Sequence, residues 1–312
     1  MTITDGVTAG TGGTSAPVPA GASAPVPAGA VAGSAGVVAG SAGVIAGTGG
    51  VIPGEVVAPG EAAPVAIQLH GVSKVYRTAA GAMAALDRVS LSVAQGEFVC
   101  LVGASGCGKS TLLNLIAGLD QPSQGRIDRP GGAVAMMFQD AALFPWLTVA
   151  ANVELALRLG SDLGRAARGA RVAELLELVH LGGFGARRPH ELSGGMRQRA
   201  ALARALAQDA RVLLMDEPFG ALDAITRDLL HDELERVWHD TRMTVVFVTH
   251  NVREAVRLGD RVVLLTSRPG RVAATYDIEA PRPRRIESPE VASAAAVIVD
   301  RLRQEVARHA RG

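Results

Sequence analysis

Residues 97–119 read EFVCLVGASGCGKSTLLNLIAGL: an apolar run, a glycine-rich turn and a helical pattern in direct succession. The Val and Leu of the first part predict a strand. The apolar spacing and good helix formers of the last part predict a helix. Between them, GASGCGKS at residues 103–110 fits G-x-x-x-x-G-K-[ST] in the strand-to-helix context that this motif requires. Glycines let backbone N–H groups turn inward around phosphates, and the helix N-terminus adds positive potential. Lys109 would reach the outer phosphates and Ser110 would offer a hydroxyl to Mg²⁺. Lys74 and Lys109 are the only lysines, so one of the two occupies the slot that the motif needs.

Working outward, VAIQLHGVSKVY from Val65 and VSLSV from Val89 read as β segments lying before the phosphate loop. Downstream, AVAMMFQ, RVLLMDE, TVVFVTH and RVVLLTS look like strands covered on both faces. Helical patterns separate them: TVAANVELALRL, RGARVAELLELVHL, MRQRAALARALAQ and DAITRDLLHDELERVWHD. Strands alternating with helices predict a largely parallel α/β sheet, with the strands near 65–95 forming a smaller antiparallel layer.

Three segments follow from composition. Residues 1–64 repeat SAPVPAGA and VAGSAGV, lack large side chains and carry almost no charge, so ordering them would cost backbone entropy without matching burial. A disordered tail is expected there, with a passenger from an upstream start or an interaction arm as the other readings. Residues 65–280 form the expected nucleotide-binding domain. Residues 281–312 hold PRPRR, expected to be a solvated connector, with contact to a permease or lipid surface as the lesser reading, and a terminal helix for which Ser288 and Pro289 suit the N-cap and first position.

Thirty-one basic residues against thirty acidic ones leave a net charge of +1, which gives no general attraction to nucleic acid. No apolar run approaches the roughly twenty residues needed to span a bilayer, and no secretion signal is expected at the start. The two cysteines, Cys100 and Cys107, suggest a reducing compartment.

VLLMDE at 212–217 is an apolar strand ending in acid. Asp216 would hold Mg²⁺ through water and Glu217 would polarise the attacking water as general base. A guanine-reading NKxD needs a lysine, and Lys74 stands in VSKVYR instead.

LSGGMRQRA at 192–200, placed between the phosphate loop and the acidic strand, resembles the signature of the ABC ATPase superfamily. The resemblance implies a P-loop NTPase (RecA-like) α/β core with an antiparallel β layer and a helical subdomain carrying that signature. It implies a head-to-tail dimer in which ATP lies between one copy's phosphate loop and its partner's Ser193, Gly194 and Gly195. Gly103, Ala104, Ser105, Gly106, Cys107, Gly108, Lys109, Ser110 and Thr111 would then hold the phosphates. Tyr76 resembles the aromatic that stacks on adenine. Gln139 matches the glutamine that touches Mg²⁺ and the attacking water, so the metal set would be Ser110, Gln139 and Asp216. Gly220–Asp223, with Asp223 acting in trans, resembles the loop coupling the two sites. His250 matches the switch histidine at the γ-phosphate, alongside Glu217, Lys109 and Gln139 in catalysis. Met196 stands where many relatives carry Gln.

LFPWLTVAANV from Leu143, MRQR and SRPGRV are similar to importers of the nitrate, sulfonate and taurine type. That branch implies transmembrane permease partners, a periplasmic or extracellular substrate-binding protein, and residence on the cytoplasmic face of the membrane. Phe144, Pro145 and Trp146 would lie near the surface that receives the permease. A soluble translation or DNA-repair ATPase of the superfamily is the rival. Translation factors of that kind carry tandem cassettes and repair ATPases a long coiled-coil insertion; this chain has one phosphate loop with Ser193 close behind.

Overall fold

A computed structural model describes residues 64–78, 81–129, 131, 133–220 and 222–309. Except for Pro64, the segment read as a disordered tail lies outside the described residues, as does Ala221. In chain order the strands are β1 (Val65–Thr78), β2 (Gly81–Ala94), β3 (Phe98–Gly103), β4 (Gln124–Asp128), β5 (Val134–Met137), β6 (Val212–Asp216), β7 (Thr244–Val248), β8 (Arg261–Leu265) and β9 (Val272–Asp277). The helices are α1 (Lys109–Ala117), α2 (Val149–Gly160), α3 (Arg165–Leu178), α4 (Gly194–Leu206), α5 (Ala224–Thr241), α6 (Val252–Leu258) and α7 (Pro289–His309).

The strands make two sheets. One is antiparallel in the order β2-β1-β4; the other runs β5-β6-β7-β3-β8-β9, parallel except for β9 at its edge. Alternation along each strand of the second sheet divides the interior in two. Phe98, Cys100 and Val102 of β3 join Val245 and Phe247 of β7 in a core shared with the helices α2–α7. Val99 and Leu101, with Val246 and Val248, face α1 and the antiparallel sheet. Because both faces are covered, β3, β6 and β7 are buried at every position, which is why they read as unbroken apolar runs.

The parallel strands end along one edge, where β3 leads into α1, β6 into α5 and β7 into α6. Ser193 caps α4, Asp223 caps α5 and Asn251 caps α6, each accepting a bond from a backbone N–H of the first turn. Those three residues stand in the signature, the coupling loop and the turn after His250.

The PRPRR reading is corrected. Arg282 stacks on the Trp238 ring with its guanidinium carbon 4.4 Å from the centroid, and it pairs with Glu235 and Asp260. Arg284 is only 6% exposed and donates to the carbonyls of Val256, Gly259, Ala280 and Ile278. Burial, with Arg282 beside it, pushes its pKa down to about 10. These carbonyls include orphans at the C-terminal end of α6, so Arg284 closes a helix end, while Pro281, Pro283 and Arg285 stay exposed. Val291, Ala295 and Ile298 then bury one face of α7 in the core.

Candidate functional site

The phosphate loop folds between β3 and α1. Gly106 and Gly108 both have positive φ, 74° and 100°, and a Cβ on Gly108 would lie 2.8 Å from the Ala85 carbonyl. Only glycine can pass there. Lys109 is 6% exposed and arches back, its Nζ donating to the Gly103 and Ala104 carbonyls at 3.0 and 3.1 Å. Cys107 turns its sulfur into the core, where burial pushes the thiol up despite Lys109 nearby. What Cys107 can offer a phosphate is therefore its backbone. Ser105, Gly106 and Ser110 are exposed, while Ala104, Gly108 and Thr111 are half-buried.

Asp216 at the end of β6 lies beside Ser110 of the phosphate loop, whose side chain acts on its carboxyl. Burial raises its carboxyl pKa, and the charge of Glu217 pushes the same way, while Ser110 and Lys109 pull it down. Among the described residues no cluster of three or more His, Cys, Asp or Glu could hold a metal. One hydroxyl and one carboxylate are the hard-oxygen donors that Mg²⁺ takes when phosphates and water complete its shell, so the pair fits that ion.

Glu217 adopts φ 45°, a left-handed conformation uncommon outside glycine, with its N–H bonded to the Val248 carbonyl across the β6–β7 edge. His250 leaves β7 two residues after Val248, and its Nδ1 lies 3.0 Å from Glu217 Oε2. The phosphate loop, Asp216, Glu217 and His250 thus converge at the carboxyl ends of the parallel strands.

A second cluster forms around the signature. Ser193 and Gly194 are exposed at the start of α4, and a Cβ on Gly195 would lie 3.0 Å from Leu222. Hydrogen bonds to the Thr226 backbone hold the Asp223 carboxyl below the usual range. Gln139 is tied to the signature helix, its carbonyl accepting Gln198 Nε2 of α4 at 2.7 Å. The Gln139 side chain is exposed, just past the end of β5.

Tyr76 is half-buried on β1; its hydroxyl donates to Asp120, and Lys74 sits 5.0 Å from its ring centroid. Met83, its cross-strand partner, accepts from Arg268, and Arg268 Nε also donates to the Gly106 carbonyl at 3.2 Å. Sequence reasoning read SRPGRV only as a branch feature. That Arg268 lies on the phosphate loop is a contact between distant segments with no local signal.

A phosphate loop, an acidic strand end and a histidine on one sheet edge, beside a helix-capping serine-glycine turn, define a nucleotide-hydrolysing P-loop cassette. A family model described as ABC transporter matches residues 86–220. The taurine import ATP-binding protein TauB of Burkholderia thailandensis is 49% identical over 217 residues, 67% of this chain and 83% of that protein. The bicarbonate transport ATP-binding protein CmpD of Synechococcus elongatus is 44% identical, over 69% of this chain and 81% of its own length. A dimeric structure of the ATP-binding cassette MJ0796 in a post-hydrolysis state with ADP and Pi superposes with a TM-score of 0.64 at 33% identity, covering 69% of this chain and all of that one. The chain belongs to the ABC transporter family. It is an ATP-binding, ATP-hydrolysing subunit, of the branch that the nitrate, sulfonate and taurine importers represent.

Proposed function

We propose that two copies of this chain, arranged head to tail, hydrolyse MgATP between them and drive uptake of a small oxyanion-bearing solute through a separate permease. Similarity to taurine and bicarbonate importers supports the solute class. A dimeric neighbour supports the pairing. A substrate-binding protein outside the membrane completes the system, and the subunit sits peripherally on the cytoplasmic face, held by the permease. Among the described residues no helix is long and apolar enough to cross a membrane.

The observation that carries the catalytic reading is the His250–Glu217 contact, 3.0 Å, at the strand end that also carries Asp216. Backbone N–H groups of Gly103–Thr111 and the Lys109 ammonium bind the phosphates. Ser110 and Asp216, with Gln139, hold Mg²⁺, which when bound neutralises charge on the outer phosphates. Glu217 accepts the proton of the attacking water. With Glu217 ionised, His250 Nδ1–H donates to Oε2, which orients the carboxylate and leaves Nε2 for the γ-phosphate. The partner copy's Ser193, Gly194 and Gly195 close the site with a helix N-terminus, with Asp223 beside them. Tyr76 supports the adenine.

Glu217→Gln tests this reading. The variant should still bind MgATP and accumulate as a dimer, with turnover down by about a hundredfold or more. Near-normal phosphate release would remove Glu217 from the role of base.

A further inference from the structure

Beneath the turn that carries His250 lies a buried polar cluster for which phosphate chemistry gives no reason. His231 of α5 is 0% exposed, and its Nε2 lies 2.6 Å from Glu254 Oε1 of α6. The other oxygen of Glu254 accepts the Thr249 hydroxyl. Thr249 Oγ1 in turn accepts the N–H of Asn251 at 3.0 Å. Both residues flanking His250 are therefore tied to one buried carboxylate.

The ring's protonation follows from its neighbours. Nδ1 faces Arg257 Nη1 at 3.1 Å, and a guanidinium can only donate, so Nδ1 is the acceptor and Nε2 carries the hydrogen. His231 then donates to Glu254, which accepts from Thr249 as well, as an ionised carboxylate does. Arg257, held by Asp228 and Asp232, fixes the other side of the ring.

The same imidazole meets the other catalytic loop. Phe219, two residues past Glu217, packs edge-on against His231 with centroids 5.4 Å apart and is itself 1% exposed. By contrast the His250 side chain is 66% exposed, and Glu217 has a backbone conformation that needs outside support. We propose that His231 and Glu254 are positioning residues: one buried support, reached through Thr249 on one side and Phe219 on the other, sets His250 against Glu217. This rests on the reading of Glu217 and His250 as the hydrolytic pair.

The test uses the full-length chain and reads steady-state ATPase rate, KM for ATP and Tm for three variants. His231→Phe keeps a ring without the N–H, His231→Gln restores a donor to Glu254, and Thr249→Val removes only the hydroxyl at nearly constant volume. Displacing a catalytic group by a fraction of an ångström should lower kcat by about tenfold to a hundredfold in His231→Phe and Thr249→Val. KM should stay within about twofold, because the phosphate loop carries the binding. His231→Gln should recover most of the rate. Should His231→Phe fail to fold, Thr249→Val decides. Wild-type turnover in Thr249→Val, or equal loss in the Gln and Phe variants, overturns the proposal. Either result with Glu217→Gln inactive leaves the hydrolytic pair standing, whereas an active Glu217→Gln removes that pair itself.

Discussion

At the scale of the residue, Asp216 shows how a site can cost the fold something. Its carboxyl is buried and its pKa lies above the ordinary value of 3.8. The folded chain thus holds that proton more tightly than the unfolded one. The resulting stabilisation is complete below the ordinary value and is lost as pH rises through the folded value. Asp216→Asn keeps the side chain's shape and a carbonyl oxygen without the charge. In protein free of nucleotide and Mg²⁺, the variant should melt above the wild type at neutral pH. Melts taken down through the acid range in a chelating buffer should show the gap closing; a gap independent of pH would mean that burial of the charge is not its cause. The same variant should lose Mg²⁺-dependent turnover, since a neutral amide is a poorer ligand for that ion.

At the scale of the element, legibility follows locality. The phosphate loop and the strand ending in Asp216 and Glu217 could be read from sequence because each is a contiguous run whose pattern is its structure. So could α5, where Asp223 sits at the cap. β4 could not: QGRID is almost wholly exposed and has no apolar face to announce a strand, existing only because β1 offers an open edge. β9 is likewise an edge strand, defined by β8. Arg284 of PRPRR departs from the solvated reading because an arginine looks solvated until distant carbonyls are there to receive it. His231 gave no signal for the same reason, its partners lying on another helix. Arg284→Ala tests the corrected reading. Removing the guanidinium relieves a buried charge but leaves carbonyls near the end of α6 unpaired, and the second effect should win by about 2 kcal/mol. Thermal or urea unfolding reads this directly; an unchanged midpoint would return the segment to the role of connector.

At the scale of the whole molecule, the question is how hydrolysis at one sheet edge reaches a membrane partner. Phe144 and Trp146 are 38% and 67% exposed, and their rings lie 5.5 Å apart in the segment that follows Gln139. Their segment is held stiffly: buried Asn152 accepts the Phe144 N–H and donates to the carbonyls of Phe144, Leu147 and Thr148. Aromatics left in water on a braced loop suit a docking surface better than a core that failed to close. The segment follows Gln139, whose carbonyl is bonded to the signature helix, so a partner seated on Trp146 would be coupled to that helix. Trp146→Ala should weaken association with the permease by about thirtyfold or more, the scale of a lost aromatic anchor. MgATP binding by the free subunit should stay within about twofold, since none of the phosphate contacts passes through that ring. Titrating tagged subunit onto detergent-solubilised permease measures the first quantity and a fluorescent ATP analogue the second. Undiminished association in Trp146→Ala would place the membrane contact elsewhere on the chain.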